Sequence, residues 1–267
     1  MNKTKVVVGV DGSAGSLAAV RWAAREARMR EAELRVLIAR HRHESFAFDA
    51  RKDDTAGAVH TAVQQARAAA PGVEVRALAL TGYAVPVLVH AAEDAALVVV
   101  GSHGDRGFFG QAHGTVCGQV ATQAQSSVVV VRGAFPEDGP VVVGVNDDPG
   151  AGTIIGRAFD EAAMRGVPLV AVTAHDQGSP RVTAAAEEAL GAEIDLQLDP
   201  WREKYPQVRA TREVIGGRPD KVLVQRCRQA QLVVVGPRRH GYEGVLLGPV
   251  GTRLLQRAEC PVLIARA

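Results

Sequence analysis

Val6-Val7-Val8-Gly9-Val10 recurs unchanged as Val141 to Val145, 135 residues further along the chain. At the same spacing Gly82 to Gly101 overlies Gly217 to Gly236, with ten identities in twenty positions, among them the run Leu97 to Gly101. Identities spread over both a helical and a strand-like stretch exceed what shared composition gives, so the chain reads as two copies of one structural unit. Near the end the spacing falls to 134, where Val128 to Arg132 overlies Val262 to Arg266, so the second copy has lost one residue between Gly236 and Val262. A Pro/Gly-rich stretch, 134–139, reads as a linker between a first domain, 1–133, and a second, 140–267.

Each copy alternates short apolar runs with helical patterns. In copy one the runs are Lys5–Val10, Leu34–Ala39, Val73–Leu80, Leu97–Val100 and Val128–Arg132. In copy two they are Val141–Val145, Leu169–Thr173, Arg209–Ile215, Leu232–Val235 and Val262–Ala265. Continuous rather than alternating apolar runs are the mark of parallel strands buried on both faces. Helices are expected at Ser16–Arg30, Thr55–Ala70 and Ala84–Ala95, with a last one beginning near Gly114. The fold class is therefore α/β, with two tandem doubly wound units, each a five-stranded parallel sheet with helices on both faces. Ligands of such sheets bind beyond the carboxyl ends of the strands, at the switch point.

Composition narrows the partners. Lys+Arg is 31 against Asp+Glu 29, a net charge of +2, without the basic excess of a dedicated nucleic-acid binder. No apolar stretch approaches the roughly 20 residues of a membrane helix, and the amino terminus lacks the apolar core of a signal peptide, so a cytoplasmic protein is expected. Cys117, Cys227 and Cys260 are far apart in sequence with no C-x-x-C spacing; neither a disulfide framework nor a zinc site is expected, only buried small hydrophobes.

After the fourth strand of copy one the chain carries five glycines in the fourteen residues from Gly101 to Gly114, followed by Thr115. Glycine lets backbone approach a ligand closely, and amides at a helix start favour phosphate oxygens. No Gly-Lys-Ser/Thr and no G-x-G-x-x-G occurs. A carboxylate just after strand one, Asp11, can accept bonds from ribose hydroxyls; alternatively Asp11 or Ser13 caps the helix that follows.

The spacing Gly101-x2-Gly104-x9-Gly114-Thr115 resembles the ATP-binding motif of the universal stress protein family, and Asp11-Gly12-Ser13 resembles that family's first loop. The resemblance covers both copies. The two-copy form, with Trp201-Arg-Glu-Lys-Tyr-Pro206 before the third strand of copy two, is similar to actinobacterial members. It implies a flavodoxin-like sheet of order 3-2-1-4-5 and ATP binding without strong catalysis, in stress survival, dormancy or growth control. It assigns Asp11, with Gly12 and Ser13, to the adenosine end, and Ala39 to the adenine through its backbone. Gly101, Gly104, Gly114, Thr115 and the Val116 amide line the triphosphate. Mg2+ would be held mainly by phosphate oxygens and water. The family's last strands zip domains together, so Val128–Val131 and Val262–Ile264 are expected to pair within the chain, with a homodimer and a further protein partner as extensions.

Copy two departs from this pattern. Asn146 stands for Asp11, and Asp147-Asp148 for Gly12-Ser13, setting two carboxylates where a polyphosphate would lie. Gly236 matches Gly101, Arg239 matches Gly104, and Gly248-Pro249 matches Gly114-Thr115; proline removes a hydroxyl and an amide donor. A second alignment pairs Gly241 and Gly251-Thr252 with the motif but misplaces the final strand. Copy two has either lost nucleotide, or Arg238, Arg239 and His240 grip phosphate with side chains in place of amides. His41, His43 and Glu44 read as a solvated loop, and His103 and His113 have no carboxylate partner in sequence to make a base. Cys117, beside the presumed phosphate-binding helix start, reads as packing. Three functions stay open: a nucleotide-dependent regulator, a slow ATPase or adenylate-transferring enzyme, and a scaffold indifferent to nucleotide.

Overall fold

The structure, a computed structural model, describes residues 4–40, 55–102, 116–133, 136, 138–148, 150–175, 184–239 and 245–266. The chain divides into two compact units, Met1–Val131 and Arg132–Ala267. The first runs β1 (Lys5–Gly9), α1 (Ala14–Met29), β2 (Glu33–Arg40), α2 (Thr55–Ala69), β3 (Val75–Thr81), α3 (Ala84–Ala91), β4 (Leu97–Gly101), α4 (Val116–Gln123) and β5 (Ser127–Val131). Its strands are parallel in the order β3-β2-β1-β4-β5. The second runs β6 (Val141–Gly144), α5 (Ala151–Arg165), β7 (Leu169–His175), α6 (Ala184–Lys204), β8 (Ala210–Gly216), α7 (Pro219–Arg226), β9 (Leu232–Val235), β10 (Arg238–Arg239), β11 (Val245–Leu246), α8 (Pro249–Arg257) and β12 (Val262–Ile264). Its parallel strands follow β8-β7-β6-β9-β12. Among the described residues no helix is long and apolar enough to cross a membrane.

The central strands form where the valine runs lie. Val6, Val7, Val8, Val98 and Val99 are fully buried between helical layers, and each contributes roughly 1.5–3 kcal/mol relative to exposure. Burial on both faces fails at β3 and β8, which are partly exposed along their length.

The repeat survives in three dimensions down to single contacts. A Cβ on Gly9 would lie 2.9 Å from Leu88 Cδ1, and one on Gly144 would lie 2.9 Å from Leu223 Cδ1. Gly82 and Gly217 turn the chain out of β3 and β8 with φ of 149° and 146°. Glu26 is buried in α1 and takes the Arg30 guanidinium at 2.6 Å; Glu161 and Arg165 repeat this buried ion pair in α5. Charged pairs four residues apart commonly lie on a solvated helix face; these two lie inside.

One expectation is corrected, and two features gain their structural detail. Helix α1 starts at Ala14, two residues earlier than expected, because Ser13 caps it. Trp201 to Lys204 are the last turn of α6, and their role is packing: Trp201 and Tyr205 stack on Phe159 of α5 with ring centroids 6.5 and 5.9 Å away, and Lys204 Nζ lies over both rings. The close approach is permitted by Gly156, where a Cβ would come within 2.3 Å of the indole. Finally, all three cysteines are buried and free, as expected.

Candidate functional site

The carboxyl edge of the first sheet gathers the residues that follow β1, β2 and β4. Between β1 and α1 the chain turns through Gly12, whose φ of +85° is a conformation other residues rarely adopt. Asp11 and Gly12 are exposed, while Ser13 is buried. Asp11 Oδ1 accepts from the Ser13 amide at 3.0 Å and from Ser13 Oγ at 2.6 Å. Ser13 Oγ in turn accepts from the Ser16 amide at 3.2 Å, capping α1, and Ser16 Oγ returns a bond to Ser13 O at 2.9 Å. The Asp11 amide points at Ser16 Oγ, 3.4 Å away. The two readings of this loop therefore meet in one motif: Ser13 is the cap, and Asp11 orients it with one carboxylate oxygen.

Gly101 ends β4 against the first turn of α1. A Cβ there would stand 2.7 Å from both the carbonyl carbon and oxygen of Gly15 and 2.9 Å from the Ser16 amide nitrogen. The glycine is thus required by packing inside the protein, which brings the end of β4 against the loop that carries Asp11. These two adjacent strands are where the chain direction diverges, the switch point of a doubly wound sheet. Ala39 lies near the end of β2, half-buried, paired with Leu80 of β3.

Gly104, Gly114 and Thr115 lie outside the described residues, as do His41, His43, Glu44, His103 and His113. The residues flanking the glycine run are described. Ser102 continues from β4, its amide donating to Val131 O at 3.1 Å. Val116 opens α4 and is exposed, and Cys117 Sγ donates to Ser102 O at 3.8 Å, a clasp across the base of the loop that sequence did not show. Because α4 begins directly after the loop, its positive end lies at the carboxyl edge of the sheet.

The second unit builds the same edge differently. Asn146 is exposed beyond β6, in the place of Asp11. Asp148, in the place of Ser13, accepts from the Gly150 amide at 2.9 Å, so one of the two added carboxylates serves the start of α5. Gly236 packs on Ile154, whose side-chain carbons stand 3.0 and 3.2 Å from where a Cβ would sit. Arg238 and Arg239 form β10, paired antiparallel with β11 in the register Arg238 to Leu246 and Arg239 to Val245. The chain after β9 is therefore a hairpin, which composition did not reveal. Gly248 precedes α8 as its cap and Pro249 takes the first helical position. Gly251 and Thr252 lie inside α8, with Gly251 buried, so the alternative alignment of the second copy is ruled out.

Fold and switch-point geometry define a tandem α/β protein with two flavodoxin-like units. The model of the universal stress protein family matches residues 3–132 and again 139–266, and the chain belongs to that family. Universal stress protein Rv2623 of Mycobacterium tuberculosis is 34% identical over 284 residues, covering 98% of this chain and 96% of that protein. Universal stress protein Rv1996 of the same organism is 33% identical over 299 residues, with 98% and 94% covered. The crystal structure of a universal stress protein from Archaeoglobus fulgidus has the same fold, with a TM-score of 0.70 at 18% identity, covering 100% of this chain and 99% of that one.

Proposed function

We propose that the first unit binds ATP at the carboxyl edge of its sheet and that the protein is a nucleotide-dependent regulator of stress survival, dormancy or growth. The observation that carries this reading is the spacing Gly101-x2-Gly104-x9-Gly114-Thr115 between β4 and α4, with Asp11 and Ala39 on the same edge. Asp11 uses Oδ1 within the protein; Oδ2 is the atom offered to a ribose hydroxyl. Glycine amides and the positive end of α4 receive the phosphates. Magnesium would be held mainly by phosphate oxygens and water, the hard oxygen ligands it prefers. When bound, it neutralises phosphate charge.

The second unit is read as the structural half. Pro249 withdraws an amide at the start of α8, and the hairpin β10–β11 stands in place of a glycine loop. Action in the cytosol, pairing of the two units through their last strands, a homodimer and a protein partner complete the proposal on the strength of the family resemblance; sedimentation and cross-linking test them. The nucleotide reading is tested by denaturing the purified protein and quantifying what copurifies by mass spectrometry. One adenine nucleotide per chain, lost entirely in Asp11→Ala, supports it. Half the nucleotide persisting in that variant shows a competent second unit, and a chain whose thermal stability ignores added ATP overturns it.

A further inference from the structure

The two units finish β3 and β8 differently. At the ends of β3 the Leu34 amide donates to Glu74 O at 2.8 Å and the Gly82 amide donates to Arg40 O at 2.9 Å, so the even-numbered residues turn their backbone groups toward β2. Successive residues of a strand alternate, and the amides and carbonyls of Val75, Ala77, Ala79 and Thr81 therefore point away from β2. Among the described residues β3 pairs with β2 alone, and no further hydrogen bond reaches these four. In β8 the equivalent outward residues are Ala210, Arg212, Val214 and Gly216, since Leu169 donates to Arg209 O and Gly217 to His175 O. Helix α6 guards that edge with charge: Arg202 Nη2 donates to Ala210 O at 3.3 Å, while Arg212 donates to Asp195 at 2.7 Å and to Glu188 at 3.2 Å. The repeat sets Ala77 in the place of Arg212 and Ala79 in the place of Val214, and Arg76 is the only charged residue of β3. A strand edge in unbroken register, without proline or a guarding charge, is a template for another strand.

We propose that the outward edge of β3 is an interface for a second copy of this chain, joined β3 to β3 in antiparallel fashion about a two-fold axis beside Leu78. The strand is complementary to itself in this register. Val75 meets the partner's Thr81 and Ala77 meets the partner's Ala79, so every outward residue faces an outward residue and exchanges both backbone bonds with it. Arg76 falls opposite the partner's Leu80, so no like charges oppose each other, and its methylene stem covers a leucine that is exposed in the single chain. Any extended strand would satisfy the backbone groups; a second copy also matches the charge pattern. Pairing about a two-fold uses up this edge on both chains, so assembly through it stops at two. The inference rests on the homodimer reading above, whose surface it names, and is independent of nucleotide binding.

Sedimentation of the full chain over a range of concentrations, with hydrogen exchange of the β3 amides followed alongside, tests the surface. Wild type is expected to be a dimer whose outward amides of Val75, Ala77, Ala79 and Thr81 lose protection on dilution. Ala79→Pro removes one outward amide and leaves the bonds to β2 in place, so it is expected to weaken association about 10- to 100-fold in a folded chain. Val214→Pro, the same change on the edge of β8, is expected to leave association unchanged. Paired charges give a second test that needs no proline. Ala77→Lys with Ala79→Lys is expected to be monomeric, as is Ala77→Glu with Ala79→Glu, and mixing the two variants is expected to restore a dimer. A wild-type chain that is monomeric throughout overturns this surface and the homodimer reading together. A dimer that survives Ala79→Pro and both charged variants leaves the homodimer reading standing and overturns the surface. Charged variants that stay monomeric when mixed, or outward amides whose protection does not fall on dilution, as beneath a strand from another protein, overturn it as well.

Discussion

Asp11 Oδ1 accepts from both the amide and the hydroxyl of Ser13, and Ser13 passes the constraint on by capping α1 at Ser16. The pair makes two roles separable. Ser13→Ala removes the cap and is expected to cost about 1 kcal/mol. Asp11→Ala loses the bonds that hold the cap and is expected to cost about 0.5–1.5 kcal/mol, together with nucleotide binding. Asp11→Asn keeps an acceptor for Ser13 and is expected to stay within about 0.5 kcal/mol of wild type. Urea denaturation with parallel nucleotide titration checks all three; Asp11→Ala as stable as wild type would remove the bracing role.

Glu31 follows α1 in a left-handed conformation, φ 52°, where the repeat places Gly166 after α5 with φ 65°. A side chain with a Cβ is strained there and glycine is not. Glu31→Gly is therefore expected to stabilise the first unit by about 0.5–1 kcal/mol, and Gly166→Ala to cost the second about 1 kcal/mol. Nothing lies within 4 Å of a Cβ built on Gly166, so the second cost is conformational alone. Denaturant midpoints moving in the same direction for both substitutions would contradict this.

The parts of the fold legible in the sequence were those encoded by local runs. Val6 to Val8 and Leu97 to Val100 announce inner strands because both their faces are apolar, and the 135-residue repeat then doubles every assignment. The burial of Glu26 with Arg30 was not legible, because helix periodicity reports which residues share a face, without saying that a paired charge on it is buried. At the site, Asp11-Gly12-Ser13 was legible from turn and cap chemistry. Gly101 was read as space for a phosphate, whereas its lost Cβ accommodates Gly15, a relation between β4 and α1 that only tertiary structure provides.

Acid stability should carry a signature of Asp94. The Lys5 ammonium, hydrogen-bonded to it, is the main cause holding its carboxyl below the ordinary 3.8, with Arg35 adding to the effect against a small cost of burial. A carboxyl whose folded value is depressed binds its proton more readily when unfolded. Its stabilisation is therefore complete above 3.8 and is lost as pH falls through the lower folded value. Asp94→Asn is expected to flatten the dependence of the urea midpoint on pH below about 4 by lowering the midpoint modestly at neutral pH, with little change once the carboxyl is protonated. Asp94 is half exposed, so the difference should shrink as salt is added. An unchanged pH slope at low ionic strength would show that the pair contributes nothing.

Gly101 and Gly236 occupy equivalent positions yet should differ in what they tolerate. At Gly101 an added methyl meets the backbone of Gly15 and Ser16, which cannot move without displacing the start of α1. At Gly236 it meets the side chain of Ile154 at 3.0 and 3.2 Å, which can shift within its rotamer. Gly101→Ala is expected to cost about 1–3 kcal/mol and Gly236→Ala less than about 1 kcal/mol, read from denaturant midpoints. Displacing α1 also displaces Ser13 and with it Asp11, so Gly101→Ala should weaken adenine nucleotide binding even though it adds no side chain to the ligand edge. Equal losses of stability at the two positions would show that the first turn of α1 yields as easily as a side chain, and the coupling from β4 through α1 to Asp11 would fail with it.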